Sequence, residues 1–432
     1  MPQAVIDNIL TGGYLLVWLI TLIWYQRKNR AYDGGSAIII SYIIYAIFSI
    51  LSLNDDIFSS WYEPLHFFPY LYLYLMLMIA LSPTIYNHIY PGEKLEEPHT
   101  RILLAISIVY IVCALILLPN IIANFQEGFV RLLTDSDAGK DAYSEQLSEA
   151  GERGSAITNI PAILYNMLSD VGIFLCFYYM SLPKKKPVLI ILLLLSMFIG
   201  LLIPVMRGQR SGVFLSGMTI ILGYMLFKRY LSRFINRIVQ IAGICCFVVI
   251  SLPVIAITFS RFGDTKGQAA VSGFISWYIG QGNLYFNNYG LDAGGIRYGD
   301  RTINLVKRAI DPDTPKNFVE RRELYHNLEI DDYYFTTFVG DFTIDFGPFI
   351  AVIIFVVFNL WVLTQIRPRD GSLTIAQFLL LYFTMCICMQ GGMYLFAYSD
   401  TANLKILVVL LLYAYLKYHD VLLKKFPIVV RK

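Results

Sequence analysis

Arg207 and Arg210 stand three positions apart in RGQRSG, a very short polar connection between two long apolar runs. A guanidinium in the apolar zone of a bilayer costs about 2.5–3.5 kcal/mol on insertion scales, so such a residue usually has a partner or a task. Its planar fork matches phosphate and diphosphate oxygens two at a time. Arg210 also opens the next apolar run, where helix N-terminal amides would add to anion binding. The competing explanations are snorkelling to the interface and an ion pair with Asp341 or Asp345. Arg261, in SRFGD, lies just past another apolar run at a similar depth, so the three arginines could converge into an anion clamp.

Further along, RRELYHNLE holds His326, the sole histidine of the long polar stretches. Histidine is the default general base near neutral pH, although a lone loop histidine can equally be a solvated side chain. Asp331, Asp332 and the pair Tyr333–Tyr334 follow. Carboxylates beside aromatic faces suit a sugar, and they suit a charge-balanced surface helix equally. In FTTFVGDFTIDFGPF, Asp341 and Asp345 are four residues apart, on one face if the segment is helical. Gly340, Gly347 and Pro348 interrupt that segment, which predicts a broken half-helix of the kind found at membrane sites.

The elements that must position these residues are apolar. Of 432 residues, 57% are hydrophobic and 15% charged, where a soluble domain carries about 25% charged residues. Runs of about 20 apolar residues cross a bilayer core. Eleven are predicted, at 8–25, 37–53, 65–82, 102–123, 160–181, 187–206, 211–228, 238–259, 346–365, 373–394 and 404–418. The expectation is an all-α polytopic membrane bundle forming one integral domain over 1–432.

Charge orients it. Lysines and arginines follow every odd-numbered span: Arg27 and Lys28, Lys94 and Arg101, Lys184 to Lys186, Lys228 and Arg229, Arg367, and the tail. The intervening short loops are neutral or acidic, as with Asp55, Asp56 and Glu63. The positive-inside rule then predicts an outer N-terminus and a cytoplasmic C-terminus. Two long loops fall on the outer face. Loop 120–159 has seven acidic and three basic residues, and DAYSEQLSEAGERG within it reads as a short solvated helix. Loop 260–334 has nine Lys/Arg and ten Asp/Glu, and its GFISWYIGQGNLYF reads as a helix lying in the interface.

All six cysteines lie in apolar runs, which predicts small packing residues and neither a disulfide framework nor a zinc site. The first run lacks a basic leader and is expected to stay as a span. No nucleotide, dinucleotide or metalloprotease motif is present, and no soluble basic surface is offered to nucleic acid. A transporter would show repeated halves, and none is found.

With RGQRSG opening a span and TFVGDFTIDFGPF leading into a late one, the chain resembles the bacterial oligosaccharide repeat-unit polymerases, the Wzy-type O-antigen polymerases. The likeness covers most of the chain as architecture: many spans and a large outer loop in the second half. It implies a GT-C-like multi-pass enzyme of the bacterial inner membrane, active at the periplasmic face without metal or other cofactor. Its partners would be undecaprenyl-diphosphate-linked oligosaccharide donor and acceptor, membrane lipids, a flippase and a chain-length regulator, and its product O-antigen, capsule or exopolysaccharide. By position, Arg207, Arg210 and Arg261 would hold the diphosphate as leaving group. His326 would be the acceptor base, with Tyr333, Tyr334, Asp341 and Asp345 on the substrate side. The arginine–glycine spacing seen in outer loops of some members is not matched here. An O-antigen ligase, a metal-dependent transferase using Asp55 and Asp56, and a flippase are the alternatives.

Overall fold

The computed structural model describes residues 2–98, 100–134, 160–206, 210–246, 248, 268–315, 318–331, 334–368, 370–393 and 400–425. The first helices are α1 (Gln3–Lys28), α2 (Gly34–Leu53), α3 (Phe67–Ile89), α4 (Ile102–Thr134) and α5 (Ile160–Ser181). Next come α6 (Pro187–Met206), α7 (Arg210–Phe227), α8 over 233–246, α9 (Gln268–Tyr289), α10 (Asn304–Ile310) and α11 (Phe318–Glu323). The last are α12 (Thr337–Phe346), α13 (Pro348–Gln365), α14 (Ile375–Met389) and α15 (Asp400–Lys425). Among the described residues, nine helices are long and apolar enough to cross a membrane: α1 to α7, α13 and α15. The tenth expected run, 373–394, is the shorter helix α14, and the eighth, 238–259, lies partly outside the described residues.

The bundle has an aromatic and aliphatic core with polar side chains set among it, and its outer faces are apolar. Helix α1 buries Thr11, Tyr14, Trp18, Thr21 and Tyr25 at helical spacing. It leaves Ile9, Leu16, Ile20 and Ile23 exposed. Thr11 Oγ1 meets Tyr70 Oη at 3.0 Å and Thr21 Oγ1 meets Tyr74 Oη at 2.9 Å, so hydroxyls hold α1 to α3. In α13 the outward row is Phe349, Ile350, Ile353, Val357 and Leu360. Lipid tails are as apolar as leucine, so polar contacts and close approach must supply much of the association.

Contacts between the described loops fall at two ends of the bundle. At one end Leu65 N donates to Asp7 Oδ1 (2.9 Å), and Asn54 Nδ2 donates to Asn8 Oδ1 (2.8 Å). There the side chain of Asn287 both accepts from His66 N and donates to His66 O, each at 2.8 Å. At the other end Asp33 caps α2, with Ser36 completing a capping box. His88 Nδ1 lies 2.7 Å from Asp33 Oδ2, and Tyr230 Oη donates to Gly92 O at 2.8 Å. Two short strands, β1 (Lys94–Glu96) and β2 (Ser372–Thr374), pair in parallel at this end, with Leu95 opposite Leu373.

Three expectations change. The GFISWYIGQGNLYF segment belongs to α9, which packs along α2 with its second half, from Gly280 on, inside the bundle rather than on its surface. Gln281, Asn283, Leu284, Tyr285, Phe286 and Asn287 are buried. Ser49 Oγ donates to Gly280 O (2.7 Å) and accepts from Asn283 Nδ2 (3.1 Å). Small residues let the backbones meet here, because a Cβ on Gly280 would sit 2.4 Å from the Phe48 carbonyl. Helix α4 runs on to Thr134, into what the sequence assigns to loop 120–159, while DAYSEQLSEAGERG lies outside the described residues. Cys245 and Cys246 are exposed, whereas Cys113, Cys176, Cys386 and Cys388 are core residues.

Candidate functional site

Asp341 and Asp345 do share one face of a helix, α12, and both side chains are buried completely. The helix is bounded by two unusual backbones. At its start Thr337 has φ 66°, a left-handed value rare for a β-branched residue. Thr337 N donates to Met393 O (3.0 Å), and Thr337 Oγ1 accepts from Gly340 N (3.2 Å). At its end Gly347 takes φ 78° and Pro348 begins α13, so the chain turns without losing a backbone donor it needs.

Against the carboxylate face runs the loop RYGDRT, 297–302. Arg297 N donates to Ile344 O (3.0 Å) and Tyr298 N to Asp345 O (2.9 Å), which satisfies the last carbonyls of α12. Tyr298 and Gly299 are both left-handed, at φ 54° and 83°. That reversal brings Arg301 N to 3.0 Å from each Asp345 oxygen. Thr302 N and Thr302 Oγ1 both donate to Asp345 Oδ2 at 2.7 Å. The Arg301 side chain pairs with Asp341 at 2.7 Å, neither being exposed. Burial pushes the Asp345 carboxyl up to about 7, against the lowering effect of Thr302 and Arg301.

A second layer of charge surrounds this loop. Arg297, Asp300, Arg301 and Arg321 are each no more than 2% exposed. Arg321 Nη1 donates to Asp300 O at 3.0 Å and lies 3.6 Å from Asp300 Oδ1, while Lys307 lies 3.9 Å from the same oxygen. The Arg297 guanidinium sits 5.0 Å over the Tyr325 ring, whose hydroxyl donates to Arg297 O at 3.0 Å. Asn304 Nδ2 donates to Asp400 Oδ1 (2.8 Å) and Arg308 pairs with Asp400, which ties this layer to α15. Arginines this buried are held by partners.

The expected site residues are placed as follows. Asp341 and Asp345 come together with Arg301 and Thr302, and Arg301 of the RYGDR loop pairs with Asp341; the pairing weighed for RGQRSG falls on side chains outside the described residues. Tyr334 is half-buried, stacked on Tyr285 at 4.5 Å and edge-on to Trp277 at 6.2 Å. His326 is exposed in the turn just after Tyr325. Arg210 begins α7. Arg207, Arg261 and Tyr333 lie outside the described residues. Among the described residues no group of three or more His, Cys, Asp or Glu is arranged for a metal ion, and Asp55 Oδ1 accepts from Ile57 N and Phe58 N as a turn cap.

Sequence reasoning missed Arg297, Arg301 and Arg321 as site residues. The available signal was composition: RYGDR concentrates two arginines, a carboxylate and a glycine in five residues of a mostly apolar chain. No family model matches the chain, and no curated protein or solved structure matches it.

Proposed function

We propose that this chain polymerises undecaprenyl-diphosphate-linked oligosaccharide repeat units at the outer face of the bacterial inner membrane. One observation carries the reading: a broken helix, buried carboxylates and three buried arginines gather at the single end of the bundle that the charge pattern assigns to the outside. Fixed guanidinium groups at such a place suit a diphosphate leaving group. Arg207, Arg210 and Arg261 are the proposed diphosphate ligands, and the pinned RYGDR loop is the proposed wall of that site.

In the proposed step, an acceptor hydroxyl oxygen bonds to the anomeric carbon of the donor glycan as the bond from that carbon to the diphosphate oxygen breaks. The leaving undecaprenyl diphosphate keeps the electron pair, and His326 takes the hydroxyl proton. No metal is required by this arrangement of roles.

Deletion and complementation test it. Loss of the chain should leave single repeat units on carrier or surface, and Arg210→Ala should fail to restore long chains. Normal chain lengths with Arg210→Ala would sink the mechanism. Full-length chains stranded on carrier would indicate a ligase, and repeat units trapped on the cytoplasmic side a flippase.

A further inference from the structure

Aromatic rings from three separate segments converge at the outer end of the bundle. Trp61, in the short 3-10 turn Ser59–Trp61, lies 5.5 Å from Trp277 of α9, edge to face. Phe58 stacks on Trp277 at 5.5 Å. Tyr334 meets Trp277 edge-on and stacks on Tyr285, which in turn stacks on Tyr289. The tract ends at a carboxylate, where Tyr289 Oη donates to Glu63 Oε1 at 3.0 Å. Asn288 holds that segment in place by accepting from Glu63 N (3.2 Å) and donating to Glu63 O (3.0 Å).

We infer that Trp61, Trp277 and Tyr334, with Glu63 at the rim, form a platform that binds the glycan of the acceptor substrate. The inference rests on the proposed polymerase reading for the identity of the acceptor, and on the following points for the platform itself. Rings that merely anchor a protein in a bilayer reach individually toward the headgroups. These rings pack on one another across α2–α3, α9 and the approach to α12. Trp61 keeps 45% of its surface exposed. The segment around it carries Asp55, Asp56 and Glu63 and no lysine or arginine between residues 54 and 66. Carboxylates are poor neighbours for an anionic lipid surface and good acceptors for sugar hydroxyls, while the apolar face of a sugar ring suits an indole. The tract is also continuous with the site, since Tyr334 leads through Phe335, whose N–H donates to Gln281 Oε1 (3.3 Å), into the strained start of α12.

The test uses the full chain in nanodiscs, titrated with oligosaccharides released by mild acid from the host's own surface glycan and followed by tryptophan emission. The wild-type protein should show a saturable change. Trp61→Ala should weaken binding about tenfold, in line with loss of one aromatic contact. Trp61→Phe, which keeps a ring, should retain it. Absence of saturable binding by the wild type, or unchanged binding by Trp61→Ala, would overturn the platform. So would quenching by brominated phospholipid of the emission that Trp61→Phe removes, since that ring would then face lipid. Arg210→Ala separates the two readings, because it should abolish long chains while leaving oligosaccharide binding intact. Binding that persists while Arg210→Ala still makes long chains would leave the platform standing and remove the polymerase.

Discussion

Arg301 and Asp341 form an ion pair 2.7 Å long in which neither side chain is exposed, linking a loop to a helix 40 residues further along the chain. Removing one member leaves the other charge buried and uncompensated, at a cost of about 3–5 kcal/mol. Arg301→Met and Asp341→Leu are each expected to lower thermal stability in detergent by that order. The double substitution should recover most of the loss, because apolar replacement of a whole buried pair is often near neutral. Additive losses in the double variant would show that the pair is not coupled.

Asp345 makes a prediction about pH. Its folded-state value of about 7 lies above the ordinary carboxyl range. Between that range and about 7 the folded protein holds a proton that the unfolded chain has released, so stability falls as pH rises through the window and levels off above it. Asp345→Asn should flatten this slope. Thermal unfolding of both proteins from pH 4 to pH 8 checks it, and an unchanged slope in Asp345→Asn would assign the effect elsewhere.

How much of this was legible in advance differs by element. The spans were legible because about 20 consecutive apolar residues have few other homes. Asp341 and Asp345 were legible as a pair because four residues bring side chains to one helix face. Helix α9 was misread for a physical reason. Its Gly, Gln and Asn residues look like an interface when burial is equated with apolarity. In a bilayer the interior of a bundle is where small and hydrogen-bonding residues belong. The Arg301–Asp341 pair was invisible because its partners are joined only through the fold, and the left-handed Thr337 has no sequence signal at all.

The contact of α9 with α2 can be tested by a single carbon. A Cβ at Gly280 would meet the backbone of Phe48 and Ser49, at 2.4 Å and 2.5 Å. Gly280→Ala should therefore destabilise by about 1–3 kcal/mol through overpacking. Gly217 in α7 has nothing within 4 Å of the same position. Gly217→Ala should be neutral or stabilising by about 0.5–1 kcal/mol, as expected in a helix interior. Melting temperatures of the two variants give the comparison.

Thr337 allows strain to be separated from hydrogen bonding. Asparagine tolerates the left-handed region and keeps an oxygen for Gly340 N, so Thr337→Asn should gain up to about 1 kcal/mol. Valine keeps the β-branch and loses the acceptor, so Thr337→Val should lose about 1 kcal/mol. If the strained start of α12 serves the reaction, Thr337→Asn will be more stable and less active, measured by polymer length in complemented cells.

The pairing of β1 with β2 has a mechanical consequence. It fastens the chain leaving α3 to the chain leaving α13, and Tyr230 adds a third connection through Gly92 O. Three regions of the bundle are thus riveted at the end opposite the carboxylates and arginines. Separation of these helices is therefore resisted most at this end and least at the far one, as in a clothes-peg whose spring is this small sheet.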